Sequence, residues 1–117
     1  MNTPMQEHCY ALSLALIRFA LTALHVPDEL RYRIQNIGFE LGLALESAIA
    51  SPARFEFAMQ LDTINAHIRS VKYTLRLLDD LEYISPDEAV RLANTAESAH
   101  RLVVAAIRTT HRNGAAA

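Results

Sequence analysis

The sequence predicts an all-α chain, folded as a single antiparallel up-down-up-down four-helix bundle over residues 1–117. Three observations carry that prediction. First, Phe57, Leu61, Ile64, Ile68, Val71, Leu75 and Leu78 follow one another at steps of four and three, which puts them on one stripe of one long helix. Second, the four prolines punctuate the chain, and three of them follow an expected capping residue, in Thr3-Pro4, Ser51-Pro52 and Ser85-Pro86. Third, the connections left between the helical segments are short, so neighbours run antiparallel and a bundle is the simplest closure.

The first helix spans about 4–25. Thr3 caps it, Pro4 suits the first helical position, and Gln6 completes a capping box. Val26-Pro27 ends it, because the residue before proline avoids the helical region. Met5, Cys9, Leu12, Leu16, Phe19 and Ala23 form one apolar stripe. Tyr10, Leu14, Ile17, Leu21 and Leu24 form a second, rotated by roughly 140° at about 100° per residue. A helix apolar on two stripes must be covered on two sides. A small bundle covers one, so the second stripe predicts self-association.

The second helix spans about 28–50. Asp28 and Glu29 favour a helix start. Leu30, Ile34, Ile37, Leu41, Leu45 and Ala48 make its core stripe, and Tyr32, Phe39 and Leu43 lie on the other side. Tyr10, Leu14, Ile17, Leu21, Tyr32, Phe39 and Leu43 are therefore the expected oligomer contacts. Gly38 and Gly42 lie one turn apart. Each costs about 1 kcal/mol of helix propensity against alanine, which calls for a packing reason.

The third helix spans about 52–82, with Ser51-Pro52 as its expected cap. Phe55, Met59, Ala66, Tyr73 and Leu77 add a looser apolar edge to its main stripe. The fourth helix spans about 86–111. Its inner face is mostly small: Ala89, Leu92, Ala96, Ala99, Val103, Ala106 and Ile107. Asn113-Gly114 is its expected stop, and Ala115 to Ala117 are expected to fray.

Hydrophobic residues are 51% and charged residues 21% of the chain, a globular composition. The run from Tyr10 to Leu24 is short and polar for a membrane span. The N-terminus lacks the basic region of a signal peptide. Cys9, the single cysteine, lies on an apolar stripe and reads as a small buried hydrophobe in a reducing, cytoplasmic setting.

Catalytic patterns do not assemble. A di-iron carboxylate bundle needs two Glu-x-x-His pairs on different helices. Glu97 and His100 form one, and no other histidine has a glutamate three residues before it. His100 then borders the core and Glu97 is solvated. His67 reads as a boundary histidine. His8 beside Cys9 points away from it, as neighbours on a helix do. No phosphate loop, Cys-x-x-Cys or nucleophile elbow is present. The expectation is a non-enzyme with no cofactor, metal, membrane or small-molecule substrate.

Charge is more informative. The net charge is -2, and the basic side is ten arginines to one lysine. Asp79, Asp80, Glu82, Asp87 and Glu88 gather at the turn between the last two helices. Arg69, Lys72 and Arg76 share one side of the third helix, with Asp62 and Asp80 flanking them, and Arg101, Arg108 and Arg112 share a ridge of the fourth. Two readings stand. The ridges are a solvated surface with ion pairs, or they contact phosphate backbone or an acidic partner.

The stretch Asp80-Leu81-Glu82-Tyr83-Ile84-Ser85-Pro86-Asp87-Glu88 is similar to the turn of a known family. That family comprises four-helix-bundle proteins encoded in bacterial ribosomal RNA intervening sequences and the accessory variability determinant proteins of diversity-generating retroelements. Its turn runs from an apolar helix end into Gly-Tyr-Ile-Ser and acidic residues; here Glu82 stands where glycine is frequent. Val71-Lys72-Tyr73-Thr74-Leu75-Arg76-Leu77-Leu78 resembles the basic-aromatic segment of the retroelement proteins. The likeness covers about Tyr10 to Arg112 in helix order and spacing. It implies a ring-shaped homo-oligomer, pentameric in family members, without enzymatic activity. For the retroelement branch it implies binding to RNA or DNA and to a reverse transcriptase, with Lys72 and Arg76 at the matching basic positions. Retroelement members are strongly basic, whereas this chain is slightly acidic. The alternative is a protein-only helical scaffold of the intervening-sequence type, with no direct nucleic-acid binding.

Overall fold

The computed structural model describes residues 3–116, with side chains as far as Arg112. Those residues form four helices and no strand: α1 (Pro4–Thr22), α2 (Asp28–Ala50), α3 (Arg54–Asp80) and α4 (Pro86–Ala116).

The ends of the helices show where local signals held and where they yielded. Thr3 Oγ1 accepts from the Gln6 amide at 3.2 Å and Gln6 Oε1 from the Thr3 amide at 3.0 Å, so the capping box of α1 forms. α1 stops at Thr22, earlier than the expected His25. Ala23 leaves the helical region (φ -83, ψ 68), and the chain turns there so that Ala23 and Val26 are buried. Arg31 Nε donates to the Ala20 carbonyl at 2.9 Å, which satisfies one of the last-turn acceptors of α1.

Ser51 does not cap α3. Its hydroxyl donates back to the Ser47 carbonyl at 2.7 Å and closes α2, while α3 starts at Arg54 without a side-chain cap. A serine four residues past a free carbonyl has this competing bond available. At the other end, α3 stops at Asp80. Glu82 N donates to Asp79 O at 3.1 Å and Tyr83 N to Leu78 O at 2.9 Å, the paired bonds of a Schellman stop. Glu82 takes the left-handed position (φ 61), which usually falls to glycine. The Ser85 hydroxyl accepts from the Glu88 amide at 3.2 Å, starting α4 as expected. Asn113-Gly114 does not end α4, which runs on to Ala116. Glycine's helix penalty is only about 1 kcal/mol, too little to stop a helix by itself. Ala115 and Ala116 are helical, and Ala117 lies outside the described residues.

Packing follows the stripes. α1 packs on α2, α2 on α3, α3 on α4, and α4 back on α1. Leu61, Ile64, Ile68, Val71, Leu75 and Leu78 of α3 are all buried, and Phe57 is half-buried against them. Each such side chain contributes about 1.5–3 kcal/mol of transfer free energy. Ile64, Ile68, Val71, Leu75 and Leu78 share one core with Leu12 and Leu16 of α1, Ile34, Leu41 and Leu45 of α2, and Leu92, Ala96, Ala99 and Val103 of α4.

The two glycines of α2 have the packing reason that their cost demands. The Ser13 hydroxyl, buried on α1, donates to the Gly38 carbonyl at 2.6 Å. A β-carbon at Gly38 would lie 3.1 Å from Ile17 Cγ1 and 3.2 Å from both Leu16 Cβ and the Ser13 carbonyl oxygen. One at Gly42 would meet the Ser13 hydroxyl at 3.1 Å. The small pair serves the contact between α1 and α2 inside the chain.

Candidate nucleic-acid or partner interface

The ridges of α3 and α4 meet at Glu97. Lys72 Nζ donates to Glu97 Oε2 at 2.6 Å and lies 2.6 Å from His100 Nδ1. Arg101 Nε reaches Glu97 Oε1 at 3.4 Å. Positions 97, 100 and 101 share one face of α4, because residues three and four apart on a helix are neighbours. The Glu-x-x-His spacing thus delivers a carboxylate and an imidazole to one point, and the cation that they share is the Lys72 ammonium. An ammonium can only donate, so Nδ1 of His100 accepts and its proton sits on Nε2.

The electrostatics agree with that assignment. The Lys72 hydrogen bond and then its charge hold the Glu97 carboxyl below its ordinary range, with Arg101 adding to them. Burial, followed by the charges of Lys72 and Arg69, lowers His100 below an ordinary histidine, and the Glu97 charge opposes this. Glu97 is partly solvated, as expected, and it also bridges two cations on two helices.

The six basic residues of the two ridges separate into two sets. Lys72, Arg101 and Arg76 have acidic partners, the last in an exposed contact with Asp80 at 3.9 Å. Arg69, Arg108 and Arg112 are exposed and pair with no acidic side chain among the described residues. Arg91 is taken by Glu88. Beside the Glu97 bridge, a groove of about 350 Å³ runs between the helices, lined by Lys72, Leu75, Arg76, Asp79, Ala89, Ala93 and Glu97. The alanines of α4 open it.

A second outward face lies on α1 and α2. Tyr10 is 61% exposed, Leu21 57%, and Phe39 57%; Leu14 and Leu43 are also exposed. Ile17 is half-buried and packs beside Gly38. Tyr32 is exposed too, but it lines a different groove, between α2 and α3, with Tyr73 on its far wall. That groove holds about 760 Å³ over Leu30, Ile37 and Leu77. The sequence grouped Tyr32 with Phe39 by helical side alone, a signal that cannot say which neighbour flanks the residue.

Cys9 is fully buried, and burial pushes its thiol up to about 11, leaving it protonated and unreactive at neutral pH. Among the described residues no three His, Cys, Asp or Glu side chains gather to hold a metal ion. None of their helices is long and apolar enough to cross a membrane. No known protein family, curated protein or solved structure matches the chain.

Proposed function

We propose that this chain is a non-enzymatic, self-assembling accessory protein, built as an antiparallel up-down-up-down bundle. The observation that carries the reading is the exposed apolar row of Tyr10, Leu14, Leu21, Phe39 and Leu43. Large apolar side chains exposed at helical spacing on two adjoining helices are the pattern of an interaction face. A second copy of the chain covers it, in a closed ring such as the resemblance implies. Membership of the intervening-sequence and retroelement accessory family belongs to the same proposal. It is supported by the left-handed backbone of Glu82, at the position where that family often has glycine. Light scattering at micromolar concentration tests the assembly: a discrete oligomer is expected, and a stable monomer overturns it.

The partner of the assembled protein is nucleic acid, with or without a reverse transcriptase, held through the α3–α4 ridges. Arg69, Arg108 and Arg112 are its phosphate contacts of first resort, since they carry no acidic partner among the described residues. Binding to a labelled oligonucleotide should fall steeply as salt rises; no binding at low salt removes this half of the proposal. One observation favours the protein-only alternative. Lys72, Arg76 and Arg101 are already paired with acids, in a chain whose net charge is -2.

A further inference from the structure

We infer that Glu97 is a built-in competitor for the anionic partner: its carboxylate holds Lys72 and Arg101 closed, and a phosphate group of a nucleic-acid strand displaces it to engage both. The inference rests on the nucleic-acid reading above and adds its regulation. Glu97 is the only acidic residue after Glu88, and it lies where the basic ridges of two helices converge. One carboxylate oxygen faces Lys72 at 2.6 Å and the other faces Arg101 at 3.4 Å. A phosphate presents the same charge sign and the same acceptor atoms to such a pair.

The bridge is built to open. The Glu97 side chain is 44% exposed and that of Lys72 36%, and ion pairs this exposed are weak. Arg101 is well exposed, so its guanidinium turns outward at little cost. Lys72 is half-buried at the groove between α3 and α4, so its ammonium stays near the ridge after Glu97 leaves. His100 remains beside it as the neutral acceptor. Arg69 and Arg76 stand on the same side of α3, one turn away from Lys72 in each direction. Displacing one carboxylate therefore frees Lys72 and Arg101 beside Arg69, while Arg76 keeps its long contact with Asp80. Closed, the same patch suits a chain that stays slightly acidic overall.

The test compares the full-length protein with Glu97→Gln and, as a control, Asp80→Asn, which removes the distant exposed partner of Arg76. Anisotropy of a short fluorescent oligothymidylate is followed across a potassium chloride series, with thermal melts to verify folding. E97Q should bind about tenfold more tightly at low salt. Its log–log salt dependence should steepen by about 0.7 for each phosphate newly engaged on a single strand. D80N should gain much less, because the contact that it removes is long and already solvated. Glu97→Ala, with the best helix propensity, gives the same readout should E97Q melt early. Wild-type binding with no gain in E97Q, or an equal gain in D80N, overturns the competitor role alone. Absence of binding by every variant at low salt overturns the nucleic-acid reading, and the competitor role with it.

Discussion

The α1–α2 half and the α3–α4 half of this protein solve the same packing problem by different chemistry. α1 and α2 approach through glycine: Gly38 and Gly42 accept Ser13, and one buried hydroxyl bond at 2.6 Å marks the contact. α3 and α4 approach through alanine, with Ala96 and Ala99 fully buried, and a polar clamp of Lys72, Glu97 and His100 ties their rim. The outer surfaces differ less. The α1–α2 half leaves large apolar side chains facing out with nothing in the chain to cover them. The α3–α4 half also exposes Phe55, Met59, Tyr73 and Val90, and it answers half of the charges on its basic ridges. Both halves thus leave large apolar side chains outward, and in the α3–α4 half they stand beside a partly answered charged rim.

The largest expected effect breaks that comparison at its outer face. Under the proposed assembly, Tyr10→Asp with Phe39→Asp should leave only monomer in sedimentation. The same pair should leave the helical circular dichroism of the monomer intact, because both side chains face outward. Loss of the helical fold instead would mean that the row is structural core.

At the inner face, Gly38→Ala should destabilise the protein by about 1–3 kcal/mol in urea unfolding, from overpacking. Alanine's better helix propensity, about 1 kcal/mol, offsets part of the cost. Gly42→Ala, with one flexible hydroxyl to displace, should be close to neutral. Equal losses at the two sites would show that the close approach is not centred on Gly38.

On the other half, Glu82→Gly should raise stability by about 1 kcal/mol, since the left-handed position costs a residue with a β-carbon about that much. An unchanged melting temperature would mean that the Schellman stop is not rigidly held.

The smallest effect is on pH. His100 is neutral when folded and its pKa is lowered, so the unfolded chain takes up the proton first as pH falls below 6.5. The contribution of His100 is therefore present above pH 6.5 and is lost as pH drops through its folded value. Glu97, also lowered, loses its contribution below 4.5. Both slopes have the same sign, so acid loosens the α3–α4 rim. His100→Gln should flatten the melting-temperature profile between neutral pH and about pH 5, and an unaltered slope would assign it elsewhere.

Much of the fold was legible before any coordinates. The α3 stripe, the α1 capping box and the Ser85 start depend on residues within a few positions of each other, and such signals survive in isolation. The signals that yielded had a local competitor or a distant one. Ser51 had a nearer acceptor in Ser47. α1 gave up its last turn to bury Val26. The candidate site was half legible: the basic ridges and the option of ion pairs along them were readable, but not that Glu97 reaches Lys72 on another helix.

What the sequence by itself determined is which residues are helical, which stripe of each helix is apolar, and that α1 has one stripe too many. Those properties follow from spacing along one chain segment. Only the tertiary structure decided that Glu97 answers Lys72 from 25 residues away, that Tyr32 belongs to the groove with Tyr73, and that Gly38 exists for Ser13. A charge or a close contact is a relation between helices, and the register that creates it is set by the packed core as a whole.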